Sequence, residues 1–380
     1  MSAVLPCGPA YGRGTLAELM PAIASQLGVP GAHDAFGLPR ARAYVLFLVD
    51  GLGWHLLRRH LGQLGYFPQL LADARPISAP VPSTTAVSLT TLGTGCPPGE
   101  HGIVGYTFRT ARHARVLNAL RWGPEDPIPE SFQPLGTWFE ILSAAGVAVS
   151  SVARAKFQDS GLTRAGLRGG RYLPVADHAG AQERITQVSE AVGGSGPAFV
   201  YLYDGDLDHI GHARGVGSSQ WRGTLQRIDE DLEKLRDAMP ADVCVLVTGD
   251  HGMVDVPAEH HILVEDEPRL ASGVDRMAGE GRFRQLYTDA PAKLAARWSG
   301  VLGERAWVCT REQAAEAGWF GPELSARSGE RLGDVLVAMR GDWAVMTKTK
   351  PHELTLIGQH GSLTEDEMLV PLLIDEGWAD

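Results

Sequence analysis

The sequence VLFLVDG, residues 45–51, joins an apolar segment to a carboxylate and a glycine. Such a run is typical of a buried strand in a parallel sheet, because helices cover both faces of that kind of sheet. Asp50 then stands at the end of the strand, which is where open α/β sheets place their ligands. Taken alone, a strand-end aspartate has an alternative role as a helix cap.

Similar apolar runs alternate with helix-like segments along the chain, which predicts an α/β fold with a mainly parallel sheet flanked by helices. The clearest strand candidates are residues 44–49, 147–152, 198–203 and 243–247, with weaker ones at 335–339 and 369–373. Helices are predicted over residues 15–27, 54–64, 85–92, 136–145, 181–192 and 218–239.

The alternation stops after Gly252 and resumes at Gly358, so the segment between these glycines is predicted to be an insertion. We therefore expect an N-terminal extension over residues 1–40, a catalytic core over 41–252 and 358–380, and an inserted cap subdomain over 253–357.

Composition limits the possible partners. The 380 residues include 34 basic and 45 acidic side chains, for a net charge of −11. Proteins that grip polymeric nucleic acid carry a broad basic surface, so that partner is not expected. The longest apolar runs fall well short of the roughly 20 residues that cross a bilayer, so no membrane partner is expected. The first residues do not have the pattern of a secretory signal, and we expect a cytoplasmic protein.

A second polar cluster lies in YLYDGDLDHIGH, residues 201–212. Asp208 and His212 are four residues apart and would share one face of a helical turn. A carboxylate oxygen and an imidazole nitrogen would then converge on one cation. Asp204 and Asp206 are alternative ligands in the same segment.

Two more clusters follow, VTGDHG at residues 247–252 and GQHGS at 358–362. Neighbours on a regular strand point in opposite directions, so the glycines are needed if Asp250 and His251 are to face one site. The second cluster adds His360. Three aspartates and three histidines match two divalent cations, for which zinc is the best candidate and Mn²⁺ or Fe are alternatives.

A nucleophile is predicted in VPSTTAVS, residues 81–88, which precedes a helix-like run. Thr85 would lie near the helix N-terminus, where the dipole and the free backbone N–H groups favour an alkoxide and a phosphate. The alternative role is an N-cap. Two neighbouring cations can hold the attacking and leaving oxygens of a displacement at phosphorus, and coordination activates a hydroxyl.

Between Tyr44 and Leu373 the chain resembles the nucleotide pyrophosphatase/phosphodiesterase family of the alkaline phosphatase superfamily. The family's P-x-x-T pattern is matched by PSTT, residues 82–85. The resemblance implies an alkaline-phosphatase-like fold with a cap, and two-step hydrolysis of a small phosphate ester through a threonyl-phosphate. It also implies two zinc sites, one formed by Asp208, His212 and His360 and the other by Asp50, Thr85, Asp250 and His251.

The chain departs from the family pattern near the predicted substrate. The family usually has Phe-Pro-Asn after the nucleophile, whereas residues 86–88 are Ala-Val-Ser, so nucleotide specificity is not implied. In HGIVGY, residues 101–106, Tyr106 replaces an asparagine that contacts phosphate in the family, and it would either donate its hydroxyl or pack. Arg282 in the predicted cap would either bind a phosphate or lie on the surface.

The favoured hypothesis is a two-zinc phosphoric-ester hydrolase, with phosphodiesterase as the preferred activity. The alternatives are a phosphomonoesterase, a phosphonate hydrolase or a phosphotransferase with the same metals, and a non-catalytic metal-binding protein. A sulfatase is disfavoured because CPPG, residues 96–99, lacks the C-x-P-x-R pattern that yields the sulfatase nucleophile.

Overall fold

A computed structural model describes residues 5–72, 74–111, 115–177 and 179–377. The strands, numbered along the chain, are β1 (Ala43–Val49), β2 (Arg75–Ser78), β3 (Thr107–Arg109), β4 (Val116–Asn118), β5 (Ala148–Arg154), β6 (Arg171–Val175), β7 (Ala198–Asp204), β8 (Val243–Thr248), β9 (Val254–Asp255), β10 (His261–Leu263), β11 (Arg276–Glu280), β12 (Phe283–Tyr287), β13 (Ala306–Thr310), β14 (Val335–Met339), β15 (Ala344–Met346), β16 (Gly358–Gln359) and β17 (Leu369–Asp375).

The α-helices are α1 (Leu19–Gln26), α2 (Trp54–His60), α3 (Thr85–Thr94), α4 (Pro98–His101), α5 (Pro129–Phe132), α6 (Trp138–Ala144), α7 (Gly161–Gly166), α8 (Ala181–Val192), α9 (Asp206–Arg214), α10 (Ser219–Ala238), α11 (Pro268–Ala271), α12 (Pro291–Leu302), α13 (Arg311–Glu316), α14 (Ala326–Arg331) and α15 (Glu365–Met368). Short 3₁₀ turns occupy Leu16–Glu18, Leu61–Gln63, Phe67–Leu70, Ala155–Phe157, Ala258–His260, Val264–Asp266, Gly303–Arg305 and Glu353–Thr355.

The central sheet has seven strands in the order β2-β17-β8-β1-β7-β5-β6. Strands β8, β1, β7, β5 and β6 run parallel, whereas β17 is antiparallel to both β8 and β2. The predicted fold, a mainly parallel sheet flanked by helices, is confirmed. Because β1, β7 and β8 are neighbours, their carboxyl ends meet at one edge.

Both faces of the central sheet are covered, which explains why β1 is buried along its whole length. Successive side chains of a strand point to opposite faces. Tyr44, Leu46 and Leu48 enter a core shared with α1 and α3, and Val45 and Phe47 enter a second core that includes residues of α8 and α10. Two hydrophobic layers therefore fix the position of Asp50 at the end of β1.

A second sheet lies inside the segment predicted as a cap. It has four antiparallel strands in the order β11-β12-β14-β13, and α12 packs against it around the buried Trp298. The strand predicted at residues 335–339 is therefore β14 of this sheet and not part of the central one. An apolar run indicates a buried strand but carries no information about its partners. The domain boundaries stay a prediction.

The beginning of the described chain packs against the core. The predicted helix over residues 15–27 is divided into a 3₁₀ turn and α1, and Thr15 forms a capping box with Glu18. Leu19 and Ile23 are fully buried in the core that includes α3. Among the described residues, none of the helices combines the length and the apolar content needed to cross a bilayer. The cytoplasmic location stays a prediction.

Candidate active site

Asp50 and Asp250 follow the adjacent strands β1 and β8, and their loops are tied to each other. Oδ1 of Asp250 accepts hydrogen bonds from the backbone N–H groups of Gly51 and His251, both at 3.0 Å. Gly51 has φ of +77°, a conformation that suits glycine and lets the chain turn directly after Asp50. Both carboxyl groups are buried.

The three predicted histidine ligands share one hydrogen-bonding pattern. Nδ1 donates to a backbone carbonyl in each ring: His212 to Gly358 at 2.7 Å, His251 to Gly252 at 3.0 Å and His360 to Ser83 at 3.0 Å. A carbonyl can only accept, so Nδ1 carries the proton and Nε2 keeps a lone pair. Hydrogen bonding at the other nitrogen is how proteins orient a metal-ligating imidazole.

Asp208 and His212 lie on one face of α9, as their spacing predicts. Oδ1 of Asp208 is 3.3 Å from Nε2 of His212 and 3.7 Å from Nε2 of His360. His360 reaches this group from the loop after β16, so residues far apart in the chain form one triad. The ligand atoms of these three residues lie within 4.8 Å of one another.

Asp204 and Asp206, the alternative ligands in the same segment, form ion pairs with arginines. Asp204 pairs with Arg184 at 2.5 Å and with Arg227 at 3.3 Å. Burial opposes ionisation of Asp204, but these two guanidinium groups lower its pKa overall. Asp206 pairs with Arg154 and Arg227. The structure therefore directs Asp208, rather than its two neighbours, toward the histidines.

The two predicted ligand groups meet at the end of the sheet. The rings of His251 and His360 stack with centroids 3.6 Å apart and planes 15° apart. Nε2 of His251 lies 3.4 Å from Oδ1 of Asp50 and 3.4 Å from Oδ2 of Asp250. Asp50, Asp208 and His251 form a second triad within 4.8 Å.

Several ionisable carboxyl and imidazole groups lie close together where the two ligand groups meet. Burial, with the nearby Asp250 and Asp208 carboxylates, raises the pKa of Asp50 well above its ordinary value, and burial also raises the pKa of Asp250. Burial and the neighbouring imidazoles lower the pKa of His360. These shifts arise because burial disfavours the charged form of each group and because groups of like charge lie close together.

The residues present fit divalent cations. Within the described residues, Oδ1 of Asp50, Oδ1 of Asp208 and Oδ2 of Asp250 are buried without a hydrogen-bond partner. Buried polar atoms are normally satisfied, so three such atoms beside the Nε2 atoms of three imidazoles call for a bound group. Mixed carboxylate and imidazole donors are the set that zinc takes in catalytic sites.

Thr85 is the first residue of α3, and its hydroxyl faces the same centre. Oγ1 of Thr85 lies 3.2 Å from Nε2 of His251, and the residue is only 8% exposed. The preceding Thr84 has extended backbone and is the N-cap of the helix. Since the first N–H groups of a helix have no intrahelical partner, Thr85 stands beside donors suited to a phosphate.

Two tyrosines of β7 are functional candidates that our sequence reasoning missed. The hydroxyl of Tyr203 donates to Oδ2 of Asp50, which leaves Oδ1 free. Tyr201 lies on the same face of the strand, and both side chains border the cavity described below. The available signal was the alternation of tyrosines directly before Asp204, but this pattern also fits an ordinary buried strand.

The two predicted substrate contacts have different outcomes. The hydroxyl of Tyr106 accepts a hydrogen bond from Nδ2 of Asn118 at 2.9 Å, and its contact with substrate stays a prediction. The structure does not present Arg282 to a phosphate. Its guanidinium is fully buried, pairs with Glu367 at 2.6 Å, and donates to the carbonyl of Trp343. The sequence around Arg282 is polar, and nothing in it indicates that the guanidinium is buried in an ion pair.

A cavity of about 340 Å³ opens from this centre. It begins at Asp50, Thr85 and Asp208 and extends over β5 and β7 toward α7. Most of its wall is apolar or aromatic, with Leu89, Leu120, Phe157, Leu162, Leu167, Tyr172, Tyr201 and Tyr203 among the lining residues.

Comparisons with known proteins identify the family and support the fold. The sequence model of type I phosphodiesterase/nucleotide pyrophosphatase matches residues 44–363. No curated protein sequence matches the chain. Among solved structures, the inactive murine ectonucleotide pyrophosphatase/phosphodiesterase 5 in complex with AMP is similar, with a TM-score of 0.69, 17% identity and coverage of 87% of each chain.

Phosphonoacetate hydrolase from Sinorhizobium meliloti in complex with phosphonoacetate is also similar, with a TM-score of 0.69 and 19% identity over 90% of this chain and 92% of that one. At these identities the two structures show a shared fold. The family match extends over most of the chain, from the first strand of the sheet to the loop that carries His360. The chain therefore belongs to the type I phosphodiesterase/nucleotide pyrophosphatase family and is a hydrolase acting on phosphoric ester bonds.

Proposed function

We propose that this enzyme is a two-zinc phosphodiesterase that transfers a phosphoryl group first to Thr85 and then to water. The observation that carries the proposal is the convergence of Oδ1 of Asp50, Oδ1 of Asp208 and Nε2 of His251 next to the hydroxyl of Thr85. An inactive variant of the murine neighbour carries a threonine-to-alanine substitution, which agrees with a threonine nucleophile.

Seven residues would hold the two cations, in the two groups expected from the sequence: Asp208, His212 and His360 for one, and Asp50, Asp250, His251 and the Thr85 hydroxyl for the other. When bound, such cations neutralise the charge of the phosphoryl group and of the attacking and leaving oxygens. The unpartnered carboxylate oxygens support this assignment.

In the proposed reaction, Thr85 and the N-terminus of α3 take part in two successive steps. Oγ1 of Thr85 loses its proton and forms a bond to phosphorus, while the ester P–O bond breaks and the departing oxygen takes up a proton. Water next attacks the same phosphorus, and the Thr85 oxygen leaves as a hydroxyl. The N-terminus of α3 presents N–H groups to the phosphoryl oxygens in both steps.

The cavity favours a diester over a smaller substrate. A phosphodiester carries a second organic substituent, and 340 Å³ of mostly apolar space next to Thr85 would hold it. A phosphonate hydrolase is the second candidate, because phosphonoacetate hydrolase has the same fold. A substrate as small as phosphonoacetate would leave most of this cavity unused.

The nucleophile is tested with two substitutions at one position. Thr85→Ala is expected to keep two zinc ions per chain in elemental analysis and to reduce kcat on bis-p-nitrophenyl phosphate by at least about a thousandfold. Thr85→Ser keeps a hydroxyl at the same place and should retain measurable turnover. Wild-type kcat in the alanine variant would exclude covalent catalysis by Thr85.

The reaction class is tested by comparing substrates on the zinc-loaded wild type. We expect kcat/KM for bis-p-nitrophenyl phosphate to exceed the values for p-nitrophenyl phosphate and for phosphonoacetate. A preference for p-nitrophenyl phosphate would indicate a monoesterase, and a preference for phosphonoacetate would indicate a phosphonate hydrolase. A metal-replete protein that is inert toward all three would contradict the proposal.

A further inference from the structure

The cavity beside Thr85 contains a buried tyrosine hydroxyl that the described residues leave without a partner. Three tyrosines line it, and two of their hydroxyls are engaged: Tyr203 donates to Asp50, and Tyr172 donates to the carbonyl of Arg154 at 2.8 Å. The hydroxyl of Tyr201 has no hydrogen-bond partner among the described residues, although the side chain is only 2% exposed. Leaving a buried polar group without a partner is unfavourable, so this one is suited to an acceptor supplied by a ligand.

The position of Tyr201 places that ligand next to the reacting phosphorus. Tyr201 and Tyr203 lie on one face of β7 with ring centroids 6.4 Å apart, and Tyr203 reaches Asp50 directly. Burial, together with the carboxylates of Asp250 and Asp50, raises the pKa of Tyr201 well above its ordinary value. The hydroxyl therefore keeps its proton and is available to donate to an oxygen brought by the substrate.

A lysine also borders the cavity. Lys156 borders it with Nζ 5.0 Å from the centre of the Phe157 ring. In the described part of the chain no carboxylate pairs with this lysine, whereas the neighbouring Arg154 is occupied by Asp206. Because Lys156 is exposed, it belongs to the outer end of the cavity.

The same cavity is lined by apolar side chains, Leu162 and Leu167 among them. We propose that the cavity is a specificity site for an ester substituent that is apolar beside the phosphorus and anionic at its far end, with Tyr201 as hydrogen-bond donor to a substrate oxygen and Lys156 as counter-charge. This inference rests on the proposed function, because that function places the phosphorus at Thr85.

Two stable phosphonates test the arrangement by calorimetric titration of the zinc-loaded protein. Phenylphosphonate has the apolar ring, and 4-phosphonobenzoate adds a carboxylate at the far end of it. An exposed ion pair contributes up to about 1 kcal/mol, so 4-phosphonobenzoate should bind up to about fivefold more tightly to the wild type. Lys156→Met should abolish that difference. Lys234→Met, which changes an exposed lysine on α10, should preserve it.

The role of Tyr201 is tested with the same two compounds. Tyr201→Phe removes only the hydroxyl and should weaken the binding of both by about tenfold. Tyr44→Phe is the matched control, since Tyr44 is a buried tyrosine at the opposite end of the sheet whose hydroxyl donates to the carbonyl of Pro39. It should bind both phosphonates like the wild type.

The outcomes separate the specificity site from the catalytic proposal. Equal binding by Tyr201→Phe and Tyr44→Phe, selectivity that survives Lys156→Met, or failure of both phosphonates to bind the wild type would each overturn the specificity site. If Thr85→Ala retained full turnover while the binding differences appeared as expected, the catalytic proposal would be wrong and the specificity site would stand.

Discussion

The hydroxyl of Tyr203 fixes one oxygen of Asp50 and leaves the other free for a cation. Tyr203 is thus a positioning residue, because it acts through Asp50. Tyr203→Phe should weaken zinc binding by about tenfold, which is at the low end of the effect of such supporting hydrogen bonds. Metal affinity measured by competition with a chelator checks the prediction, and kcat of the fully loaded variant should fall much less.

Tyr66→Phe is the control for this experiment. The hydroxyl of Tyr66 also donates to a buried carboxylate, Asp375, at 2.5 Å, but away from the proposed ligands. It should leave zinc affinity unchanged. If both variants bound zinc equally well, the hydrogen bond from Tyr203 would have no part in metal binding.

For single residues, the sequence predicted site roles for polar side chains that follow apolar runs. It did not predict roles that depend on whether a side chain is buried. Asp50, Asp208 and His251 were predicted to converge because carboxylates and imidazoles shortly after buried strands are conspicuous, and their ligand atoms do lie within 4.8 Å of one another. Their binding of metal stays a prediction. Tyr201 was missed because tyrosine is common inside strands. Arg282 was expected either to bind a phosphate or to lie on the surface, because its ion pair with Glu367 joins residues 85 positions apart, which no local pattern reveals.

Among the elements, α9 depends on a network of ion pairs for its position. Oδ1 of Asp204 accepts the N–H of Asp206 at the start of α9, and Oδ2 pairs with Arg184 and Arg227. Removing one partner of a buried ion pair costs about 3–5 kcal/mol, and the remaining Arg227 reduces that cost. Arg184→Leu should therefore lower the free energy of unfolding by about 2 kcal/mol.

The pH dependence of this loss follows from the lowered pKa of Asp204. A carboxyl group whose pKa is lower in the folded state stabilises the protein above its unfolded pKa, and the stabilisation disappears as the pH falls through the folded value. The difference between wild type and Arg184→Leu, measured by urea unfolding, should thus be largest at neutral pH and shrink below about pH 4. A difference that grows on acidification would contradict it.

Buried elements were predicted better than exposed ones. The central strands β1, β7 and β8 lie within one residue of their expected ends, since helices cover both of their faces. The edge strands β2 and β6 were missed because each is partly exposed and contains a proline. Pairing within the second sheet was not predictable either, because it is set by long-range packing.

In the whole molecule, the proposed metal site lies where the two ends of the inserted segment join the core. His251 lies directly before the predicted cap and His360 directly after it, and their rings stack. Between them, β9 and β16 form a short antiparallel ladder at the two ends of that segment. Two cations bound here would hold both ends of the cap against the central sheet.

Removal of metal should therefore loosen the base of the cap. Ligands that bind only the folded state stabilise it by mass action, so treatment with a chelator should lower Tm by several degrees, and added zinc should restore it. Limited proteolysis should then cut near residues 252–258 or 351–358 in the metal-free enzyme. His360→Ala should resemble the chelated protein even with zinc present, whereas His33→Ala, at an exposed distant histidine, should not. Unchanged Tm and cleavage after complete removal of metal would show that the fold holds the cap without cations.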